Sequence, residues 1–293
     1  TYTGGESEGI YTFTFDTKAG APGPVALAVA TENPSFLALH PENPVLYACG
    51  EMAKGGTVSA FRRDSETGAL TRINDVSSEG AGPCHVAVSP SGGHVAVANY
   101  GSGSMALLPV AEDGGLEPAC ATRTYSGQGA HPKRQKGPHA HAVNFGPEGG
   151  TLYVTDLGTD RIHVYRYDAA QGTLEEAEPA AAHLAPGAGP RHLALHPSGR
   201  YAYVVNELGN TITAFIRDKA GELTSIQTIG TLPDDFTGDN TTAEIVLHPN
   251  SRFLYASNRG HDSVAAYVIG ADTGRLRPVG HTPTGGKTPR NFN

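Results

Sequence analysis

An all-β propeller of four-stranded antiparallel blades, folded as one domain over residues 1–293, is what this sequence predicts. Two observations carry the prediction. Glycine (38) and proline (21) fill about a fifth of the positions, spread evenly, which disfavours a helical bundle and suits short strands joined by turns. One pattern also returns five times: PSFLALHPENPVLYACGE, PCHVAVSPSGGHVAVANY, AHAVNFGPEGGTLYVTDL, PRHLALHPSGRYAYVVNE and TAEIVLHPNSRFLYASNR. Self-similarity at a period of roughly 50 residues, with four strands in each period, is the signature of a propeller blade.

Taken in order, each copy opens with an apolar strand (A) that ends at an anchor proline. The anchors are Pro41, Pro90, Pro147, Pro197 and Pro249, at intervals of 49, 57, 50 and 52 residues. Positions two and four before each anchor are Leu, Val, Ile or Phe, as a packed strand face requires. After a turn comes a second apolar strand (B), ending in four copies at Asn99, Asp156, Asn206 or Asn258. These short polar residues are read as turn formers that hydrogen-bond nearby backbone. A third strand (C), as in GTVSAFRRD, DRIHVYRYD and NTITAFIRD, closes on a Gly-Xaa-Leu turn (Gly68–Leu70, Gly172–Leu174, Gly221–Leu223). A more polar, variable strand (D) completes the unit. Such a blade cannot bury both faces alone, so neighbours must stack. A sixth anchor opens at Pro289, and Thr1-Tyr2 aligns with Asn99-Tyr100. The chain is therefore expected to begin and end inside blades, incomplete at both ends. About 5.6 periods fit into 293 residues, which by itself slightly prefers six blades.

Composition removes several function classes. Formal net charge is −8, with 21 basic against 29 acidic residues, and no basic stripe marks a nucleic-acid partner. No apolar run approaches the roughly 18 residues of a membrane helix, so no membrane partner is expected. Cys49, Cys84 and Cys120 are odd in number and lack metal-ligand spacing. The N-terminus, TYTGGESEGI, has no apolar signal-peptide region, which makes the cytoplasm the expected compartment. HExxH, paired CxxC and the serine elbow of hydrolases are absent, and no helix follows the glycine-rich stretches. No metal or cofactor is expected, and oligomeric state is not legible.

In an antiparallel meander the start of A and the end of B share one rim. Residues six before each anchor should ring the mouth of a central channel: Ser35, Cys84, His141, Arg191, Ala243 and, by extension, Arg290. So should those just after each B strand: Glu51, Tyr100, Leu157, Glu207 and Arg259. Both columns hold a different and mostly polar residue in each blade, whereas their neighbours repeat. Departure from repetition marks a site. His40, His196 and His248 precede an anchor in three repeats and read as turn or packing residues. His141 and His139 are candidates for the channel, while His85 and His192 lie one place further along, towards a blade interface. The longest interval adds the loop RTYSGQGAHPKRQKGPHAH, which brings Lys133, Arg134, Gln135 and Lys136 to the same mouth. A locally basic rim on an acidic protein points to a small anionic ligand, since guanidinium binds carboxylate or phosphate bidentately.

TYTGGESEGIYTFTFD, RQKGPHAH, GPRHLALHPSGRYAYVVNELGNT, ASNRGHDS and GKTPRNFN together resemble the lactonase family of seven-bladed propellers. That family includes propeller-type 6-phosphogluconolactonases and the fungal 3-carboxy-cis,cis-muconate lactonizing enzyme. The resemblance implies seven blades, no obligatory metal, and a His, Arg, Glu and further Arg matching His141, Arg191, Glu207 and Arg259. It implies a carboxylic ester hydrolase that opens a sugar-acid lactone, 6-phosphogluconolactone first among them, by water attack at the ring carbonyl. Arg191 and Arg259 would hold the anion and polarise the carbonyl, with Arg290, Arg134, Gln135, His139, Glu51, Tyr100 and His85 as substrate-binding candidates. Either His141 or Glu207 would be the general base. A muconate cycloisomerase and a non-catalytic scaffold stay open as alternatives, as does phosphate against carboxylate on the substrate.

Overall fold

The computed structural model describes residues 2–293; Thr1, aligned above with Asn99, lies outside the described residues. Five four-stranded antiparallel sheets follow one another, each with its strands in chain order. The first blade comprises Pro34–Leu39, Val45–Gly50, Thr57–Arg63 and Leu70–Ser77; the second Pro83–Val88, His94–Asn99, Ser104–Pro109 and Ala121–Thr124. Ala140–Phe145, Thr151–Asp156, Arg161–Asp168 and Thr173–His183 form the third. The fourth is Pro190–Leu195, Tyr201–Asn206, Thr211–Arg217 and Leu223–Gly230, and the fifth Thr241–Leu247, Phe253–Arg259, Ser263–Ile269 and Leu276–Pro283. Ahead of them Gly9–Thr12 pairs with Ala26–Ala30 and Phe15–Asp16 with Ala21–Pro22, as two-stranded sheets. Among the described residues no helix is long and apolar enough to cross a membrane.

Two compact units arise. One holds the residues up to Thr124 together with Asp168–Thr173, the other Tyr125–Tyr167 with Leu174–Asn293. In the first unit Val45, Tyr47, Cys49, Val58 and Ala60 pack on Val86, Val95, Val97 and Ala106, filling the space between the first two blades. In the second, the B strand of the fourth blade faces both ways. Ala202 and Val204 pack on Tyr153, Ile162 and Val164 of the third blade, while Tyr203 and Val205 pack on Leu254, Ala256 and Ala265 of the fifth. Side chains alternate along a strand, so a sheet buried on both faces needs the continuous apolar run Tyr201–Val205.

Two repeated devices join the pieces. The imidazoles of His40, His196 and His248 accept backbone N–H groups of Asn43, Ser198 and Asn250 and close the turn after each A strand. Tyrosines on B strands reach the Gly-Xaa-Leu turn of the following blade: the Tyr153 hydroxyl donates to the Gly221 carbonyl at 2.8 Å and Tyr203 to Gly274 at 2.9 Å.

One irregularity recurs at the start of the three A strands of the second unit. At the start of the A strands the register slips, so that His141 opposes no residue of its own. Arg191 and His192 likewise share one slot against the B strand, as do Ala243 and Glu244. A bulge of this kind bends the strand and re-aims its side chains. The amides it frees from the ladder are taken up by B-strand hydroxyls, Ala142 N–H by Thr155 Oγ1 (3.1 Å) and Glu244 N–H by Ser257 Oγ (3.0 Å).

Candidate active site

Glu207 follows the B strand of the fourth blade and is held there by its backbone, whose N–H donates to Gly189 O at 2.7 Å. Its carboxylate is only 3% exposed and collects three guanidiniums. Arg134 Nη2 donates to Oε1 at 2.7 Å. Arg191 Nε donates to Oε2 at 3.0 Å, and Arg259 Nη2 meets the same oxygen at 3.0 Å. Arg191 is anchored further by Nη1, which donates to the Ala243 carbonyl at 2.8 Å. Arg259 Nη2 also donates to Thr242 O at 2.7 Å, while its Nε is buried with no acceptor among the described residues. A buried donor left without a partner is unusual in a folded protein.

Burial pushes the Glu207 carboxyl up, but Arg191, Arg259 and Arg134 together more than cancel that and hold it below the usual carboxylate range. Burial brings Arg191 down to about 10, partly offset by Glu207, so it stays charged at neutral pH.

His141, 4% exposed, sits in the bulge of the third blade. Burial first, then the charges of Arg191, His192 and Arg290, depress its pKa well below the ordinary value. It is therefore a neutral imidazole at physiological pH. Its ring meets that of His192 edge to face, with centroids 5.2 Å apart. Arg290 follows the sixth anchor and lies near enough to depress His141, Arg191 and Arg259 as well. Four guanidiniums and a neutral imidazole thus gather at the bulged ends of the A strands in the second unit.

Gln135, 1% exposed, spends its amide inside the protein: Nε2 donates to Leu157 O (2.8 Å) and Asp160 Oδ1 (2.7 Å), and Oε1 accepts from His131 N–H. It staples the basic loop that presents Arg134. His139 is half-buried beside the site, its backbone N–H donating to Asp156 at 2.7 Å. The other three belong to the first unit. Glu51 accepts the Tyr2 hydroxyl at 2.9 Å, His85 stacks on Phe36 with centroids 4.1 Å apart, and the Tyr100 backbone N–H donates to Gly82 O.

Glu244 is the residue that sequence reasoning missed. It is 6% exposed and bonds His192, at 2.8 Å between Oε1 and Nδ1. The column six before the anchor holds Ala243 in that blade, so Glu244 fell one place outside the expected rim. A signal existed: His85, His192 and Glu244 occupy one column, polar inside otherwise apolar strands. Among the described residues no group of three or more His, Cys, Asp or Glu could hold a metal ion.

Comparison with known proteins adds to this geometry. Residues 1–293 match the family described as Lactonase, 7-bladed beta-propeller. The chain is 39% identical over 293 residues to the 6-phosphogluconolactonase of Bacillus subtilis, covering all of this chain and 82% of that protein. It is 34% identical to the 6-phosphogluconolactonase of Formosa agariphila, covering 97% of this chain and 81% of the other. Among solved structures, the periplasmic gluconolactonase of Pseudomonas aeruginosa superposes with a TM-score of 0.94 at 34% identity, over all of this chain and 84% of that one.

Proposed function

The chain belongs to the seven-bladed β-propeller lactonase family, and on that premise we propose that it hydrolyses a phosphorylated sugar-acid lactone, 6-phosphogluconolactone, by water attack at the ring carbonyl. Membership makes it an enzyme, a hydrolase of carboxylic esters acting on lactones. The finer reading rests on one observation above all: a surplus of guanidinium charge surrounds Glu207 next to a neutral His141. That surplus calls for a second anion.

The division of labour follows from the electrostatics. Glu207, held low by three arginines, is a poor proton acceptor and serves instead to fix their directions. His141, uncharged at neutral pH, takes the proton from the attacking water. Arg191 spends Nε and Nη1 on protein acceptors and offers Nη2 to the carbonyl oxygen, where charge develops as the tetrahedral intermediate forms. Arg259 and Arg134 hold the substrate's phosphate, with Arg290 behind them. Protonation of the leaving ring oxygen by the imidazolium of His141 completes ring opening.

Proton release from 6-phosphogluconolactone, gluconolactone and a muconolactone tests the substrate assignment, with the phosphorylated lactone expected to give the highest kcat/KM. His141→Ala should lower kcat by about two orders of magnitude, the usual scale for a positioned acid or base, and Glu207→Gln by about as much, because the arginines it directs lose their aim. Near-normal turnover by both variants would refute these roles.

A further inference from the structure

The pair His192–Glu244 takes no part in the mechanism above, yet it is built as carefully as the site itself. Both side chains are buried, and each comes from the bulge of its own blade, His192 from the fourth and Glu244 from the fifth. Glu244 Oε1 accepts the Ile245 backbone N–H at 3.0 Å as well as facing His192 Nδ1, and Oε2 accepts the Asn291 side-chain amide. Arg191 Nη1 lies 3.2 Å from His192 Nε2 and 3.4 Å from Nδ1, so the guanidinium rests against the ring.

Donor and acceptor chemistry fixes the tautomer. Burial lowers the His192 pKa, so the ring is neutral and only one of its nitrogens carries a proton. An ionised carboxylate can only accept, so Nδ1 must carry the proton. The charges around Glu244 agree: although burial raises its pKa, His192 and Arg191 bring it below the ordinary value, so it is ionised at neutral pH. His192 is thus a neutral ring, fixed in orientation by Glu244 and lying against Arg191. It also presents its ring to His141.

We infer that His192 and Glu244 are positioning residues, a carboxylate–imidazole brace that sets the direction of the Arg191 guanidinium and the plane of the His141 ring. The inference rests on the roles given to Arg191 and His141 above. The ring packed against Arg191 matters because Glu207 and the Ala243 carbonyl alone leave the guanidinium plane free to tilt about its Nε–Nη1 edge. Misplacement of a catalytic group by about 1 Å can cost on the order of a hundredfold in rate.

The test uses the whole chain and 6-phosphogluconolactone. Glu244→Ala should lower kcat by about a hundredfold with KM changed less than about threefold, because the brace acts on the transition state more than on ground-state binding. Glu244→Gln should restore most of the loss: its amide oxygen still accepts from Nδ1–H, and the exposed Asn291 can turn its own amide to match. A purely structural role would lower thermal stability in both variants without that split between kcat and KM. Because Glu244→Ala could fail to fold, the native protein offers a second readout. Labelled with 15N-histidine, His192 should show a protonated Nδ1 and an unprotonated Nε2. The opposite tautomer, or native kcat in folded Glu244→Ala while His141→Ala is inactive, overturns the brace alone. Full turnover by His141→Ala removes the reading beneath it and the brace together.

Discussion

A carboxylate that binds three guanidiniums is a poor base and a good template, and this contrast underlies the division of labour proposed for Glu207 and His141. From sequence the two were equivalent candidates, since both are titratable rim residues. Only the paired distances around Glu207 separate them. A prediction follows at this scale for pH. The base must be unprotonated to work, and Arg191, His192 and Arg290 face it with charge or ring while burial depresses its pKa. The acid limb of kcat/KM should therefore lie below the ordinary histidine value of about 6.5, with activity lost only as pH falls through the lowered pKa. Glu207 is already ionised across that range. A limb at or above 6.5 would show that His141 is not the titrating base. Glu244 shows what a single chain could not reveal. Its column was visible, but that it would reach His192 depends on bulges in two adjacent blades.

At the scale of the element, A strand, B strand and connecting turn were legible because each carries repeated chemistry. The anchor histidines close turns through Nδ1 as their repetition implied. The bulges were not legible, because one extra residue in a strand leaves the apolar alternation further along intact; Leu193 and Leu195 keep their phase whatever Arg191 and His192 do. The loop carrying Lys133, Arg134 and Gln135 divides the same way. Its basic character was plain, yet Gln135 turns inward to Asp160 and Leu157 and Arg134 alone reaches Glu207. The tyrosine link between blades supports a stability prediction. Tyr203→Phe keeps the packed ring and deletes one buried hydrogen bond to Gly274 O, a loss of about 1 kcal/mol. For a chain of this size that is a fall of roughly 2–4 °C in Tm by thermal denaturation, with kcat unchanged because the ring lies in the inter-blade core. A change in kcat with native Tm would contradict that assignment.

Over the whole molecule a net charge of −8 coexists with a locally cationic site. Such a site attracts an anionic substrate against a repulsive background, and the attraction is screened within about 10 Å at 0.1 M salt. For 6-phosphogluconolactone kcat/KM should fall several-fold between 20 and 300 mM salt, whereas for uncharged gluconolactone it should hardly move. Equal salt dependence for both lactones would place the phosphate outside the arginine cluster.

By itself the sequence determined the blade, its four strands and its apolar faces. These follow from local periodicity, and a side chain's face in a strand depends only on its neighbours along the chain. It also marked His141, Arg191, Glu207 and Arg259 as exceptions to a repeat. What only the tertiary structure decided is which of them touch and in what protonation state. Contacts at the site join residues as much as 73 positions apart, Arg134 to Glu207, and no chain-local rule encodes the burial and charge that set the pKa values of Glu207 and His141 in opposite surroundings.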